Sequence, residues 1–264
     1  MKPKTNVAAK ILGGLSFLIY FFLWAPVIVI IVFSFSGNKY GTSWDGFTLK
    51  WYAELFNNVA VKDALVRSLV VASITVIVST IIGTITGYGL YKLHFRGKQF
   101  LRTSILLPIV FPSVVTGSAL LVFFTRFFQI PLGYPSIIIA HIVFSSPLAV
   151  FVILGRMQRF DWSWEEAAMD LGATRFRTFF RVTGPMLLPA IAASAMLIFP
   201  WSFDDFVITY FVAGIGSTTL PIYVFSQLRF GATPVINTIG TLFVVLTMAA
   251  LALMYFVQKK NERV

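Results

Sequence analysis

The chain has 264 residues, of which 58% are hydrophobic, 16% aromatic and only 12% charged, and its net charge is +11. A soluble domain of this composition would have to expose a large apolar surface, so the composition indicates a membrane protein. Cysteine is absent and histidine occurs only twice, which excludes a disulfide framework and a zinc site built by this chain alone. We therefore expect neither a metal ion nor a cofactor.

Long runs without charge locate the membrane spans, because a helix needs about 20 apolar residues to cross roughly 30 Å of hydrocarbon. A single transmembrane domain over residues 1–264 is predicted, with six spans at 11–35, 68–91, 103–125, 136–155, 187–211 and 235–258. The first run is too long for a signal peptide and no small-residue cleavage site follows it, so we interpret it as a retained helix. The predicted fold class is an all-α membrane protein.

The basic residues predict the orientation of these spans, because cytoplasmic loops carry an excess of Lys and Arg. If the N-terminus is inside, 15 of the 21 lysines and arginines fall on the cytoplasmic side. Both termini are therefore predicted to be cytoplasmic. The positive charge is explained by this bias and by attraction to anionic membrane lipid, so we expect no nucleic-acid partner.

The predicted cytoplasmic loop between spans four and five contains an unusual cluster of acidic residues. A short amphipathic helix is expected over 163–172, with Asp161 or Ser163 as its N-cap, two glutamates in its first turn and Gly172 as its C-terminal stop. Its apolar face is formed by Trp164, Ala168 and Leu171. Ala167 and Ala168 follow Glu166, and their small side chains would allow another protein to approach this helix closely.

This loop resembles the signature of ABC-importer permeases, the inner-membrane subunits of binding-protein-dependent transport. The signature is Glu-Ala-Ala, three residues, Gly, nine residues and Ile-x-Leu-Pro, and it is found here as Glu166-Ala167-Ala168, Gly172 and Val182-Thr183-Gly184-Pro185. The resemblance implies a type I ABC importer permease fold, in which the short helix is a cytoplasmic coupling helix between helices 4 and 5. The residues it implies in coupling to the ATPase are Glu166, Ala167, Ala168, Asp170, Gly172 and Pro185.

A wider resemblance covers nearly the whole chain. Segments such as Trp44-x-Gly46-Phe47-Thr48, Phe95-Arg96-Gly97-Lys98 and Ser202-Phe203-Asp204-Asp205 are similar to the PotC-type permeases of spermidine/putrescine importers. The resemblance implies two ABC ATPase subunits, a second permease of the PotB type and an extracytoplasmic polyamine-binding protein as partners. No P-loop motif occurs in the sequence, so we expect ATP hydrolysis in a separate subunit and no enzymatic activity in this chain.

Asp204 and Asp205 are the only acidic residues inside a predicted span. Ionisable residues in a span are costly and therefore indicate function, and carboxylates among aromatic rings suit an alkylammonium substrate. The residues predicted to bind substrate are Asp204, Asp205, Ser202, Trp201 and Trp44. The alternative is that the acids pair with Arg229, with Arg126 or with a lysine on a partner and serve assembly only. Adjacent residues lie about 100° apart on a helix, so both acids cannot face one narrow path without local unwinding.

Other interpretations remain open for the substrate and for several residues. The PotC-type pattern has an acid after the proline of the third span, whereas Ile109 and Ser113 follow the prolines here. Iron, an amino acid or another cation is therefore an alternative substrate, and a passive channel is a further alternative that would need no docking loop. His141 either lines the path or is a buried, hydrogen-bonded histidine. Trp44 either lines the external entrance or belongs to an aromatic belt at the lipid headgroups.

Overall fold

The structure is a computed structural model that describes residues 7–39, 43–229 and 234–261. Within these residues the regular structure is helical, apart from one isolated β-bridge between Ser36 and Phe47. The chain divides into two compact units, Met1–Lys62 with Val224–Val264, and Asp63–Tyr223. The ends of the chain that carry Lys2, Lys4 and Arg263, on which the predicted orientation partly depends, lie outside the described residues.

The first unit contains α1 (Val7–Phe33), α2 (Lys50–Asn57) and α13 (Pro234–Asn261). Helix α13 packs against both α1 and α2. The indole of Trp51 is buried, and its Nε1 donates a hydrogen bond of 2.7 Å to the carbonyl oxygen of Ser36. This bond attaches α2 to the segment that follows α1. Helix α1 has no buried residue in its most apolar stretch, so this chain leaves its surface available to lipid or to another subunit.

The second unit is built around a central helix, α7 (Tyr134–Met157). The other helices of this region are α3 (Val59–Lys92), α4 (Lys98–Ser104), α5 (Leu107–Val110), α6 (Ser113–Val122), α8 (Ser163–Asp170), α9 (Arg175–Thr178), α10 (Gly184–Phe203), α11 (Val207–Val212) and α12 (Leu220–Leu228). Helix α7 packs against α5, α10 and α11. One apolar cluster joins α3, α7, α11 and the turn after α6, and comprises Val71, Phe124, Ile137, Ala140, Phe144, Ile208 and Val212.

Glycines allow α3 to approach α7 closely. A Cβ atom at Gly83 would overlap the side chain of Ala149, and one at Gly87 would lie 2.8 Å from Cγ2 of Ile153. Small residues at such contacts are typical of membrane helices, because lipid tails give apolar side chains no reason to prefer each other and close packing must supply the attraction. Close van der Waals packing therefore stabilises the contact between α3 and α7.

Four helical stretches are long and apolar enough to cross a membrane: Lys10–Phe33, Val59–Lys92, Tyr134–Met157 and Arg175–Phe203. The stretch predicted as the third span is bent, because Lys98–Val110 and Ser113–Phe127 meet at 106°. The break falls at Phe111, which has an extended backbone (φ −71°, ψ 139°), as expected for a residue that precedes proline.

The number of spans in the described part of the chain is therefore four, or five if the bent pair is one span. The predicted sixth span, 235–258, lies in α13, where the described apolar part is Pro234–Ala249. The side chains of its second half lie outside the described residues, so the sixth span stays a prediction.

Candidate functional site

The short helix predicted in the loop before α10 is present as α8, Ser163–Asp170. The predicted N-cap is wrong, since Trp162 occupies that position without a side-chain cap. The carboxylate of Asp161 instead accepts a hydrogen bond of 3.1 Å from the backbone N–H of Ser163. The predicted C-terminal stop is correct: Gly172 has φ +85°, a left-handed conformation that favours glycine at the end of a helix.

The signature residues of α8 face away from the rest of the chain. Glu166, Ala167 and Asp170 are exposed and Ala168 is partly exposed. Pro185 is exposed in the first turn of α10. The apolar residues Trp164 and Leu171 are 58% and 89% exposed, so the apolar face of the predicted amphipathic helix does not pack on this chain. It is available to another protein.

The residue that attaches α8 to the membrane helices is Glu165, which is only 4% exposed. The hydroxyl of Thr183 donates a hydrogen bond of 2.5 Å to Oε1 of Glu165. The ammonium of Lys92, the last residue of α3, lies 2.6 Å from Oε2. Lys92 Nζ also lies 3.7 Å from the centre of the Trp162 ring.

Sequence reasoning placed Glu165 only in the first turn of the helix and missed this role. The signal that could have found it is the adjacency of Glu165 and Glu166. Neighbouring residues on a helix point about 100° apart, so a helix that presents one of these acids to a partner turns the other toward its own chain. Its partners on α3 and before α10 are far away in sequence, and no local pattern identifies them.

The two acids predicted to bind substrate lie at a break in the helix. Helix α10 ends at Phe203, residues 204–206 are not helical, and α11 begins at Val207. The prediction of a continuous helix over 187–211 is therefore corrected. Pro200 does not itself end α10, because the last turn of the helix continues to Phe203. The backbone N–H of Asp204 donates to the carbonyl oxygen of Pro200 at 3.0 Å.

Asp205 is held in an internal hydrogen-bond network. Its Oδ2 atom accepts from the backbone N–H of Thr209 at 2.8 Å and lies 2.9 Å from the Thr209 hydroxyl. His141 Nε2 lies 2.8 Å from the same hydroxyl and 3.5 Å from Asp205 Oδ2. His141 Nδ1 lies 2.7 Å from the hydroxyl of Ser202. We call these four residues the His141 network.

The Thr209 hydroxyl links Asp205 to His141. It donates to Asp205, so its oxygen can accept from an N–H at Nε2 of His141. The Ser202 hydroxyl lies at hydrogen-bond distance from the other ring nitrogen, Nδ1. His141 is 1% exposed and hydrogen-bonded, as one of the two interpretations above expects. Ser202, which is 3% exposed, contacts its ring, and the predicted contact of Ser202 with substrate stays a prediction.

Asp204 differs from its neighbour, since it is exposed. Within the described part of the second unit Arg126 forms no ion pair with it or with Asp205. Arg229 belongs to the first unit, where it lies over the ring of Phe225, so its predicted pairing stays a prediction. Trp201 is 52% exposed. Trp44, also 52% exposed, belongs to the first unit, so its predicted place on a substrate path stays a prediction. Among the described residues no cluster of acids or histidines could hold a metal ion.

The helical spans and the exposed coupling signature define a membrane transport subunit. A sequence model of the family described as "Binding-protein-dependent transport system inner membrane component" matches residues 79–263, and the chain belongs to this family. It is 35% identical to the spermidine/putrescine transport system permease protein PotC of Haemophilus influenzae, over 93% of this chain and 95% of that protein. It is 40% identical to the putrescine transport system permease protein PotI of Escherichia coli, over 84% and 81%.

Solved structures of ABC transporters share the fold. The chain matches a bacterial ABC transporter involved in the import of the acidic polysaccharide alginate with a TM-score of 0.73 and 16% identity, over 98% of both chains. It matches the MetNI methionine ABC transporter with a TM-score of 0.56 and 14% identity, over 82% of this chain and 97% of that chain. The predicted fold class, an all-α ABC-importer permease, is confirmed.

Proposed function

We propose that this chain is one permease subunit of an ATP-driven polyamine importer and forms half of its translocation path. The observation that carries the proposal is the exposed Glu-Ala-Ala face of α8, together with relatives that are named as polyamine permeases. The proposed partners are two ABC ATPase subunits, which hydrolyse the ATP, a second permease of the PotB type and an extracytoplasmic polyamine-binding protein. In this arrangement α8 and both termini lie on the cytoplasmic side.

The exposed face of α8 has the chemistry of a docking surface. Ala167 and Ala168 are small enough for close backbone approach, while Glu166 and Asp170 place two carboxylates at its edge. Trp164 and Leu171 offer exposed apolar area, and aromatic side chains with large apolar area are typical anchors at protein interfaces. A basic groove on an ATPase subunit would complement this face.

Docking is tested by reversing the charge of this face. We expect Glu166→Lys to abolish co-purification of the ATPase and polyamine uptake, because it adds a cation where the proposed partner is basic. Gly172→Asp should have the same effect, because the residue at φ +85° would be strained and the end of α8 would change. Membrane insertion should be unaffected.

The matched control is Glu54→Lys, the same change on the exposed surface of the short helix α2. It should leave ATPase binding and uptake within about twofold of the unaltered protein, as is usual for exposed positions. Normal ATPase binding and uptake in Glu166→Lys and Gly172→Asp would refute docking through α8.

For the substrate we propose that Asp204, rather than Asp205, contacts the ammonium group. Asp204 is exposed and has no ion pair within the described residues, whereas Asp205 already accepts hydrogen bonds in the His141 network. A free carboxylate near the exposed aromatic ring of Trp201 could bind an alkylammonium group by charge and by cation–π attraction.

The measurement is uptake of labelled spermidine and putrescine by the importer reconstituted with its partners, in competition with an iron chelate and an amino acid. Asp204→Asn should lower polyamine uptake by about tenfold or more, the size expected for a lost charged hydrogen bond. Asp63→Asn, at an exposed acid of α3, is the control. Preferential uptake of the iron chelate or the amino acid would refute the polyamine proposal, and flux without ATP would identify a channel.

A further inference from the structure

The buried position of Glu165 has a physical requirement that docking does not explain. A carboxylate removed from water is costly unless its oxygens are paired. Both oxygens of Glu165 are paired, and their partners come from two different elements: Lys92 at the end of α3 and Thr183 directly before α10. An apolar residue would fill this position without that requirement, so the charge has a role beyond packing.

Apolar packing does not hold α8 firmly in place. Trp164, Met169 and Leu171 are all exposed. A groove of about 620 Å³ opens beside the helix between Glu165, Met169 and Phe176. The polar bonds of Glu165 therefore attach α8 itself to the membrane helices of this unit, in addition to the contacts that Trp162 makes directly before the helix.

Lys92 reinforces the attachment on the side of α3. Its ammonium is bonded to Glu165 and lies over the ring of Trp162, the residue directly before α8. Trp162 in turn stacks on Tyr91 with ring centres 4.9 Å apart and donates its Nε1 hydrogen to the Tyr91 hydroxyl at 3.1 Å. The last two residues of α3, Tyr91 and Lys92, thus contact Trp162 directly before α8 and Glu165 in its first turn.

We propose that Glu165 is a positioning residue that transmits movement of α8 to α3 and α10 through Lys92 and Thr183. The inference rests on the proposed docking of α8 to an ATPase. Glu166 then contacts the partner, while its neighbour Glu165 transmits the displacement inward. A displaced α8 must either move the ends of α3 and α10 with it or break the buried ion pair, and breaking a buried pair is strongly unfavourable. The contacts of Glu165 with Lys92 and Thr183 therefore link a movement of α8 to the positions of α3 and α10.

The test compares transport with ATP hydrolysis in the complete importer reconstituted in liposomes. Glu165→Gln removes the charge and keeps the size, and Thr183→Val removes the donated hydroxyl and keeps the shape. We expect both variants to bind the ATPase normally and to import about tenfold less substrate per ATP, within the range typical of coupling between two sites. Thr183→Ser keeps the hydroxyl and should restore coupling.

Arg67→Met is the matched control, because it removes a 3.8 Å ion pair on α3 whose carboxylate, that of Asp63, is exposed rather than buried. It should stay within about twofold of the unaltered importer. The thermal stability and the assembly of every complex are measured in parallel. Unchanged import per ATP in Glu165→Gln or Thr183→Val would overturn the proposal, as would a loss that follows reduced stability or assembly alone.

The same assay separates this inference from the docking proposal. If Glu166→Lys abolishes ATPase binding while Glu165→Gln couples normally, docking stands and the role of Glu165 is refuted. If Glu166→Lys binds the ATPase and transports normally, docking itself is refuted.

Discussion

Substitution of the adjacent acids Asp204 and Asp205 should have different effects on the stability of the protein. Asp205→Ala removes the carboxylate that accepts from the backbone and hydroxyl of Thr209 and lies next to His141. Asp204→Ala removes an exposed carboxylate with no ion pair among the described residues. We expect the first change to destabilise the protein and the second to leave its stability nearly unchanged.

The magnitude follows from the groups left without a partner. The backbone N–H of Thr209 belongs to the first turn of α11, and loss of a side-chain cap there costs about 1 kcal/mol. The Thr209 hydroxyl and the imidazole of His141 lose a charged neighbour in a buried site, which costs about 2 kcal/mol more. The total of about 3 kcal/mol corresponds to a change of roughly 100-fold in the unfolding equilibrium. Asp204→Ala should stay within about 0.5 kcal/mol.

The assay is unfolding of the purified protein in mild detergent by titration with a denaturing detergent, followed by tryptophan fluorescence. Asp205→Asn is an informative intermediate, because its amide oxygen still accepts from the Thr209 N–H but lacks the negative charge. Its stability should fall between those of the unaltered protein and Asp205→Ala. Equal stability of Asp204→Ala and Asp205→Ala would refute the structural role assigned to the His141 network.

Two further predictions concern the packing of each unit. Gly83→Ala should reduce the amount of folded protein in the membrane, because its Cβ would overlap α7 at a cost of about 1–3 kcal/mol from overpacking. Gly89→Ala should be tolerated, because its Cβ would meet only a side-chain atom at 3.9 Å. Equal yields of the two variants by fluorescence-detected gel filtration would contradict this prediction. Trp51→Phe should lower stability by about 1–3 kcal/mol, because it leaves the Ser36 carbonyl without its indole donor. Trp44→Phe, at an exposed position, should unfold like the unaltered protein in the same detergent titration.

The sequence predicted the parts of the fold that depend on local pattern. Charge-free runs identified the long spans, and the spacing from Glu166 to Gly172 located α8 to within a few residues. These succeed because a membrane span and a helix stop are both encoded by neighbouring residues. The bend at Phe111 was missed, although the proline that follows it is a recognisable local signal.

The parts that were not predicted depend on residues far apart in the chain. His141 and Asp205 are separated by 64 positions, yet their side chains meet because α7 packs against α11. No local pattern therefore predicts this contact, and from the sequence Asp205 resembles its neighbour Asp204. In the same way Glu165 looked like an ordinary acid in a first helical turn, since Lys92 and Thr183 reach it only after the helices have packed.

The glycine contact between α3 and α7 limits how the second unit can change shape. With Gly83 against Ala149 and Gly87 against Ile153, neither helix can rotate about its axis without driving a side chain into the other backbone. A displacement of α3 that enters at Lys92 would therefore push on α7, the helix that contains His141, through a contact that leaves little room for either helix to turn. The two helices would then connect the loop that contains α8 to the acidic break.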